Sequence, residues 1–400
     1  MWQKFSTICS FFILSCVFLF TSCTKRSLTD INHQIFKEWV NNSNPSSLKI
    51  ALLLPLEGQL AEQANAICNG FFAAYYQAKH NSKLIPTILV LNTNHKNINT
   101  VYQNALQKAA NIIVGPLTKK NIAVLVNSHM LSVPTLALNT LAKARNPYLF
   151  QFGLSPLDEA TQTALRIWND HHTHILMITP WGNWGNAIAQ AFQKQLESLG
   201  DKITAQLTYK VNTNLNNEIC QLLNIDQSER REQHLKHVLY EKIRFIPRRR
   251  EDFDAIFLVA NFSKARQIIP LLHFYYLGDI PIYATSAIYY PSSVIIDHDL
   301  DGVIFDDIPW VLAPKQLPLS IKQIQERIRT LCPNSYTQNS RLYALGVDAY
   351  QILPKLYKMS LISQYHTNSA TGVLYLLPNQ QIYRQLLWAK IINGQPRLIK

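Results

Sequence analysis

The stretch Lys49–Gly58, KIALLLPLEG, constrains the fold of this chain more than any other. Its apolar run, Ile50 to Pro55, does not alternate, so both faces need cover, as in the central strand of a parallel sheet. It is too short to cross a bilayer. Pro55 offers no N–H to a ladder, and Gly58 frees the backbone to turn into Leu60–Lys79, an alanine- and aromatic-rich segment with helical spacing. The unit reads as strand, loop, helix. Ligands of open α/β sheets sit at the carboxyl ends of strands, so Leu56, Glu57 and Gly58 mark a cleft edge.

From there the same alternation repeats. Strands are expected at Lys49–Leu54, Ile85–Leu91, Asn111–Val114, Thr135–Leu138, Ile175–Thr179, Ile203–Tyr209, Ala255–Val259 and Pro281–Ala284. Helices are expected at Leu60–Lys79, Thr100–Ala110, Lys119–Ser128, Asp158–Asp170, Trp184–Leu199 and Lys264–Tyr275. Single helices between strands imply right-handed crossovers and doubly wound parallel sheets. The strands are too many for one ordinary sheet, so two α/β lobes are the natural division, with Phe150–Pro156 as a crossing. Asn224–Asp254 reads as a charged helical insertion, and Pro378-Asn379 and Asn393-Gly394 carry hairpin chemistry.

The amino terminus reads as an export signal: Lys4, then the apolar FSTICSFFILSCVFLF, then Thr21-Ser22-Cys23. Phe20–Cys23 resembles a bacterial lipobox, with Phe20 where Leu is usual. Cleavage would leave Cys23 as a lipidated residue, with Thr24–Ser47 as a polar tether. A retained anchor helix is the alternative. Either way the remainder lies outside the cytoplasm, and Thr24, by resemblance to lipoproteins of diderm bacteria, favours the outer membrane. Of six cysteines, Cys68, Cys220 and Cys332 would remain unmodified, an odd number that makes neither a disulfide framework nor a CxxC metal site. The formal charge of +13 suits an anionic lipid, cell-wall or protein face, whereas an exported chain with scattered basic residues is a poor match for nucleic acid.

With these elements placed, the chain resembles the LppC/LpoA family of lipoprotein activators of penicillin-binding proteins. The likeness runs from about Leu48 to Lys400. IALLLPLEG, GFFAAYYQ at Gly70–Gln77, VGPLTKKN at Val114–Asn121, PTLALN at Pro134–Asn139 and FQFGLSPLDEA at Phe150–Ala160 carry its first part. GNWG at Gly182–Gly185, PRRREDFDAIFLVA at Pro247–Ala260, FYYLGDIPIYATS at Phe274–Ser286, LDGVIFDDIPW at Leu300–Trp310 and RLYALGVDAY at Arg341–Tyr350 follow in order. The resemblance implies a type I periplasmic-binding-protein fold, two Rossmann-like lobes joined by three crossings. Lobe one would be 48–153 plus 285–366, and lobe two 154–284 plus 367–400. Longer members carry a helical-repeat domain ahead of this one, where here only the tether stands. The implied partner is a class A penicillin-binding protein, with peptidoglycan as a further contact and no cofactor.

Binding, not catalysis, is therefore the expected work. No GxSxG elbow, HExxH, Walker loop or suitably placed SxxK is present. Exposed aromatic and arginine residues anchor interfaces, which makes Trp181, Trp184, Arg248, Arg249 and Arg250 candidates for the partner surface. Trp184 could instead start a helix and pack inward, and the arginines could pair with Glu251, Asp252 and Asp254. The competing reading is a solute-binding protein for an amino acid or peptide fragment. Its cleft would use Leu56, Glu57, Gly58, Pro116, Thr118, Asn139, Ser155, Ser286 and Tyr289. Helix-start N–H groups would hold a carboxylate and Glu57 an amino group. Thr118 and Ser155 equally suit helix capping. Asp306 and Asp307 read as a loop after a strand. His171-His172-Thr173-His174 reads as a solvated turn with no accompanying carboxylate.

Overall fold

The computed structural model describes residues 48–81, 86–210, 213–239, 244–275, 277–291 and 297–400. Cys23 and the tether lie outside them.

The first lobe grows from the apolar run. β1 (Lys49–Leu54), α1 (Ala61–Asn81), β2 (Thr87–Asn92), α2 (Ile98–Gln107), β3 (Ile112–Val114), α3 (Lys119–Asn127), β4 (Thr135–Ala137) and β5 (Leu149–Gln151) make a parallel sheet of order β2-β1-β3-β4-β5. β1 is sandwiched in register, with Leu52 opposite both Val90 and Val114. Its period of two splits the run between two cores. Ile50, Leu52 and Leu54 join Ile67 and Phe71 of α1, while Ala51 and Leu53 join Tyr102 of α2 and Ile122 of α3. Both faces are covered, as the lack of alternation required. Each fully buried leucine contributes about 2 kcal/mol of transfer free energy.

The chain then crosses. α4 (Pro156–Asn169) starts at Ser155, followed by β6 (His174–Pro180), α5 (Asn183–Ser198), β7 (Lys202–Tyr209), α6 (Leu215–Leu222), α7 (Ile225–Leu239), β8 (Ala255–Leu258), α8 (Phe262–Phe274), β9 (Ile282–Ala284) and β10 (Ile304–Asp307). These strands form the parallel part of a second sheet, β10-β9-β8-β6-β7. Leu176, Ile178, Ile256 and Leu258 fill one of its faces, and Ile175, Met177, Ala255 and Phe257 the other. α7 is the expected charged insertion, and its apolar contribution to the core is confined to its first turn, at Ile225.

After Asp307 the chain returns through α9 (Pro309–Leu312), α10 (Leu319–Leu331), α11 (Pro333–Gln351) and α12 (Leu353–Leu361), which pack on α1 and the first sheet. A small antiparallel sheet follows, β11 (His366–Ser369), β12 (Gly372–Leu376) and β13 (Ile382–Gln385). β14 (Leu387–Ile392) and β15 (Gln395–Ile399) then close the edge of the second sheet beyond β10. Their turn, Asn393-Gly394, has φ of 52° and 69°, the left-handed pair that a two-residue hairpin requires. The result is two Rossmann-like lobes and three crossings, at 151–156, 307–309 and 385–387.

Two expected boundaries move. The second crossing was placed before Thr285, yet Ile304 and Phe305 pair with Tyr283 and Ala284 inside the second sheet. Asp306 and Asp307 are accordingly strand residues, not a loop. Their charge disguised a strand whose every residue is buried. β11–β13, which fall almost wholly within the residues 367–400 assigned to lobe two, do not join the second sheet. They form their own, bridged at Gln381 to Gln151 on the last strand of the first.

Candidate functional site

The three crossings are fastened by two hydrogen-bonded sets of buried polar groups, with the charge of Arg384 in one acting on Glu159 in the other. At the second crossing, Arg341 of α11 holds Asp307 with two parallel bonds, Nε to Oδ1 at 2.9 Å and Nη2 to Oδ2 at 2.5 Å. The same Nη2 donates to the carbonyls of Ser286 at 3.1 Å and Tyr289 at 3.0 Å. Ser286 in turn donates its backbone N–H and its hydroxyl to Oε2 of Glu159, at 3.1 and 2.9 Å. Glu159 sits on the first turn of α4, immediately after the first crossing. At the third, Arg384 Nε donates to the carbonyl of Gly153 at 3.0 Å, and Gln162 bridges the carbonyl of Arg384 and the N–H of Leu386.

The charges here are not neutralised pair by pair. Both carboxylate oxygens of Asp306 and both terminal nitrogens of Arg384 are buried without a hydrogen-bond partner. Burial pushes the Asp306 carboxyl well above the usual range, with the neighbouring charges of Glu159 and Asp307 adding to the effect. Glu159 is raised too, first by burial, against which the Arg384 charge acts. Such a network holds the crossings in one geometry.

The expected cleft residues fall at the carboxyl ends of the first sheet and at this network. Leu56 donates its N–H to Leu54 and to Asn92, and Gly58 has a φ of +78° that a side chain would strain. Glu57 is exposed and makes no capping bond. Pro116 is buried, and Asn139 donates to the carbonyl of Leu117. Thr118 caps α3 and Ser155 caps α4, accepting from Asn121 and Asp158. Ser286 and Tyr289 belong to the crossing network, where Arg341 occupies their carbonyls. Several groups that would greet a small ligand are thus engaged by the protein itself.

The expected partner surface divides in two. Trp181 and Trp184 follow β6, 69% and 44% exposed, and Trp184 stands in the first turn of α5. Gly182 between them has a φ of +114°, which turns the chain into α5. Arg248–Arg250 lead back from the arm of α7. Arg248 is exposed, Arg249 lies 5.1 Å over the ring of Phe253, and Arg250 grips Asp252 through two bonds of 2.6 and 2.7 Å. With Asp252 more than half exposed, that last pair contributes little. The histidine turn does have a carboxylate, contrary to expectation. Asp254 accepts the N–H groups of Thr173 and His174 and lies 3.9 Å from the rings of His172 and His174. The three remaining thiols are free and half-buried.

Sequence reasoning missed Glu159, Arg341 and Arg384. The signal lay in phase: Glu159 shares the buried face of α4 with Ala160, Thr163 and Ile167, and Arg384 alternates with Ile382 and Leu386 on the inward face of its strand. A charge in phase with an apolar stripe is a charge with a buried task.

Two Rossmann-like lobes with three polar-fastened crossings make the fold of periplasmic binding proteins. The family model described as "LppC putative lipoprotein" matches residues 36–394, and the chain belongs to that family. A relative from Vibrio cholerae, named penicillin-binding protein activator LpoA, is 29% identical over 381 residues, covering 92% of this chain and 59% of the relative. The relative of the same name from Vibrio antiquarius is 27% identical, with 85% of this chain and 56% of that one covered. The chain therefore spans rather more than half the length of the curated relatives it matches. Among solved structures, the C-domain of LpoA from Haemophilus influenzae, described as a regulator of PBP1A, superposes with a TM-score of 0.68 at 25% identity. It covers 88% of this chain and all of that domain. An ABC transporter substrate-binding protein from Sphaerobacter thermophilus shares the fold at 15% identity, 88% and 96% coverage, and a TM-score of 0.57.

Proposed function

We propose that this chain is a non-catalytic lipoprotein, anchored through Cys23 in the outer membrane and facing the periplasm, that binds a class A penicillin-binding protein and raises its peptidoglycan synthesis. The observation that carries this reading is the match across nearly all of the two-lobed part to relatives named as activators. The exposed Trp181 and Trp184 and the arginines at 248–250 supply anchors of the kind that interfaces use. Activation requires that the lipoprotein bind the faster synthase state more tightly than the slower one. Lobe one is proposed as 48–153 with 309–385, and lobe two as 154–307 with 386–400, following the sheets.

The test is glycan-strand output from a purified class A synthase with and without the full chain. Stimulation that falls severalfold in Trp181→Ala, with an unchanged melting temperature, supports the reading. Unchanged output with the parent chain would sink it. The solute-binding alternative is supported by the fold shared with transporter proteins. It predicts strong thermal stabilisation by one amino acid or peptide fragment and no effect on the synthase.

A further inference from the structure

A groove of about 890 Å³ opens between α4, the β12–β13 ribbon, the end of α12 and the start of β14. Of the residues in the crossing network only Gln162 and Leu386 line it, and no expected cleft residue does. Its chemistry is specific. Tyr375 and Tyr383 are paired directly across β12 and β13, so their rings stand on one face of the ribbon. Trp388, from the strand that follows the third crossing, is a third half-buried ring. From α4, Gln162, Arg166 and Asn169 recur at the spacing of one helix face.

The lining excludes most ligand classes by charge. Among the described residues no aspartate or glutamate lines the groove, so a free ammonium group finds no counter-charge in its lining. Arg166, the one cation among the described lining residues, is engaged by the protein itself. Its Nε donates to Asp170 at 2.8 Å, its Nη1 donates to the carbonyl of Lys400, and its guanidinium lies 5.6 Å over the ring of Trp388. A phosphate or an amino-acid zwitterion would therefore lack a partner for its charge. What remains is planar, neutral and amphipathic: three aromatic rings, with the side-chain amides of Asn169 and Gln385, the latter accepting from the Tyr375 hydroxyl at 3.2 Å. Burial, aided by the charge of Asp158, pushes the Tyr383 phenol up to about 12, which keeps it a neutral hydroxyl.

We propose that this groove binds a neutral oligosaccharide, its sugar rings laid on Tyr375, Tyr383 and Trp388 and its hydroxyl and amide groups met by the surrounding side-chain amides. A sugar presents an apolar face of C–H groups and a rim of neutral hydrogen-bonding groups, which is the complement of this lining. The volume lies within the range of built small-molecule sites, which is about 300–1,000 Å³. Gln162 gives the occupant a route to the fold, because the same side chain holds the carbonyl of Arg384 and the N–H of Leu386 at the third crossing. The proposal goes beyond synthase activation and does not depend on it.

The experiment is calorimetric titration of the full chain with tri-N-acetylchitotriose and with cellotriose, in a detergent that carries no sugar headgroup. Saturable binding that quenches tryptophan emission is expected, weakened at least about tenfold, or by about 1.4 kcal/mol, in Tyr375→Ala. Gln385→Ala, at an exposed position, is expected to weaken it severalfold with the melting temperature unchanged. Phe274→Ala, which lies outside the groove and is 69% exposed, is expected to bind as the parent does. Absence of saturation with either sugar up to about 10 mM would overturn the proposal, since so weak an interaction is not that of a built site. Binding that both Tyr375→Ala and Gln385→Ala leave intact would overturn it as well, as would displacement of the sugar by leucine or inorganic phosphate.

Discussion

Arg341 and Asp307 meet in a two-pronged ion pair in which the carboxylate is fully buried and the guanidinium side chain a quarter exposed. The pair joins α11 of the first lobe to the last residue of β10 in the second, so it spans a crossing instead of bracing one element. The same guanidinium holds the carbonyls of Ser286 and Tyr289. Removing it strands one charge and two carbonyls at once. Arg341→Leu is expected to cost about 3 kcal/mol, because breaking a buried pair leaves an uncompensated charge. Urea unfolding of the parent and the variant at neutral pH measures it. A loss below about 1 kcal/mol would place this pair with ordinary surface pairs.

Asp306 and Asp307 are neighbours in sequence with opposite fates. Asp307 has Arg341 and the N–H of Ile308, whereas Asp306 has no hydrogen bond at either oxygen and a carboxyl raised far above its usual range by burial. A carboxyl held neutral is close to an amide in shape and charge. Asp306→Asn is therefore expected to change stability at pH 7 by less than about 1 kcal/mol, while Asp307→Asn costs about 3 kcal/mol. Equal losses in both variants would refute the assignment of Asp306 as the uncharged member.

Asp348 of α11 gives a pH dependence with a definite sign. It is fully buried, and burial raises its carboxyl to about 6 despite bonds from the N–H groups of Ala370 and Thr371 and the Thr371 hydroxyl. In the unfolded chain the group titrates near 3.8, so between about 3.8 and 6 the folded state holds the proton that the unfolded state has released. The folded state binds more protons there, and stability falls as pH rises through that window. From pH 4 to pH 7.5 the loss from this group is roughly 2 kcal/mol. Asp348→Asn cannot titrate. Its deficit relative to the parent, from lost hydrogen bonds, should therefore shrink by roughly 2 kcal/mol between those pH values. A deficit that stays constant or grows with pH would reverse the sign assigned here.

Much of the parallel framework is visible in the sequence, because buried parallel strands are continuous apolar runs and their helices are amphipathic. Lys49–Leu54 was read to the residue, and Lys119, Trp184 and Lys264 each fall within two residues of the observed helix starts. β10 was hidden because half of it is aspartate, and no local pattern says that a carboxylate will find an arginine 34 residues later. β5 was taken for crossing because three residues are too few to show a period. The cleft candidates were legible as strand ends but not as a ligand site. Whether a serine or threonine at a helix start faces a ligand or its own N–H groups depends on rotamer and neighbours, and at Thr118 and Ser155 the helix takes it. The groove at Tyr375, Tyr383 and Trp388 could not be read at all, since it needs α4 brought against strands some two hundred residues away.

The packing of α1 on α11 depends on two glycines facing opposite backbones. A Cβ built on Gly70 would lie 2.2 Å from the carbonyl oxygen of Tyr343, and one built on Gly346 would lie 2.0 Å from that of Ile67. Neither obstacle is a flexible side-chain end, so the two helices would have to separate. In an isolated helix glycine to alanine gains about 1 kcal/mol, so propensity alone predicts stabilisation. Contact predicts the reverse, since overpacking a tight interface costs typically 1–3 kcal/mol and these clashes are with backbone. Gly70→Ala and Gly346→Ala should each lower stability by about 2 kcal/mol net. Because the two positions share one interface, the double variant should lose less than the sum of the single losses: once the helices have moved apart for one methyl, the second finds room. Thermal and urea unfolding of all three variants measures both statements. Stabilisation by either single change would show that the helices do not approach this closely in solution.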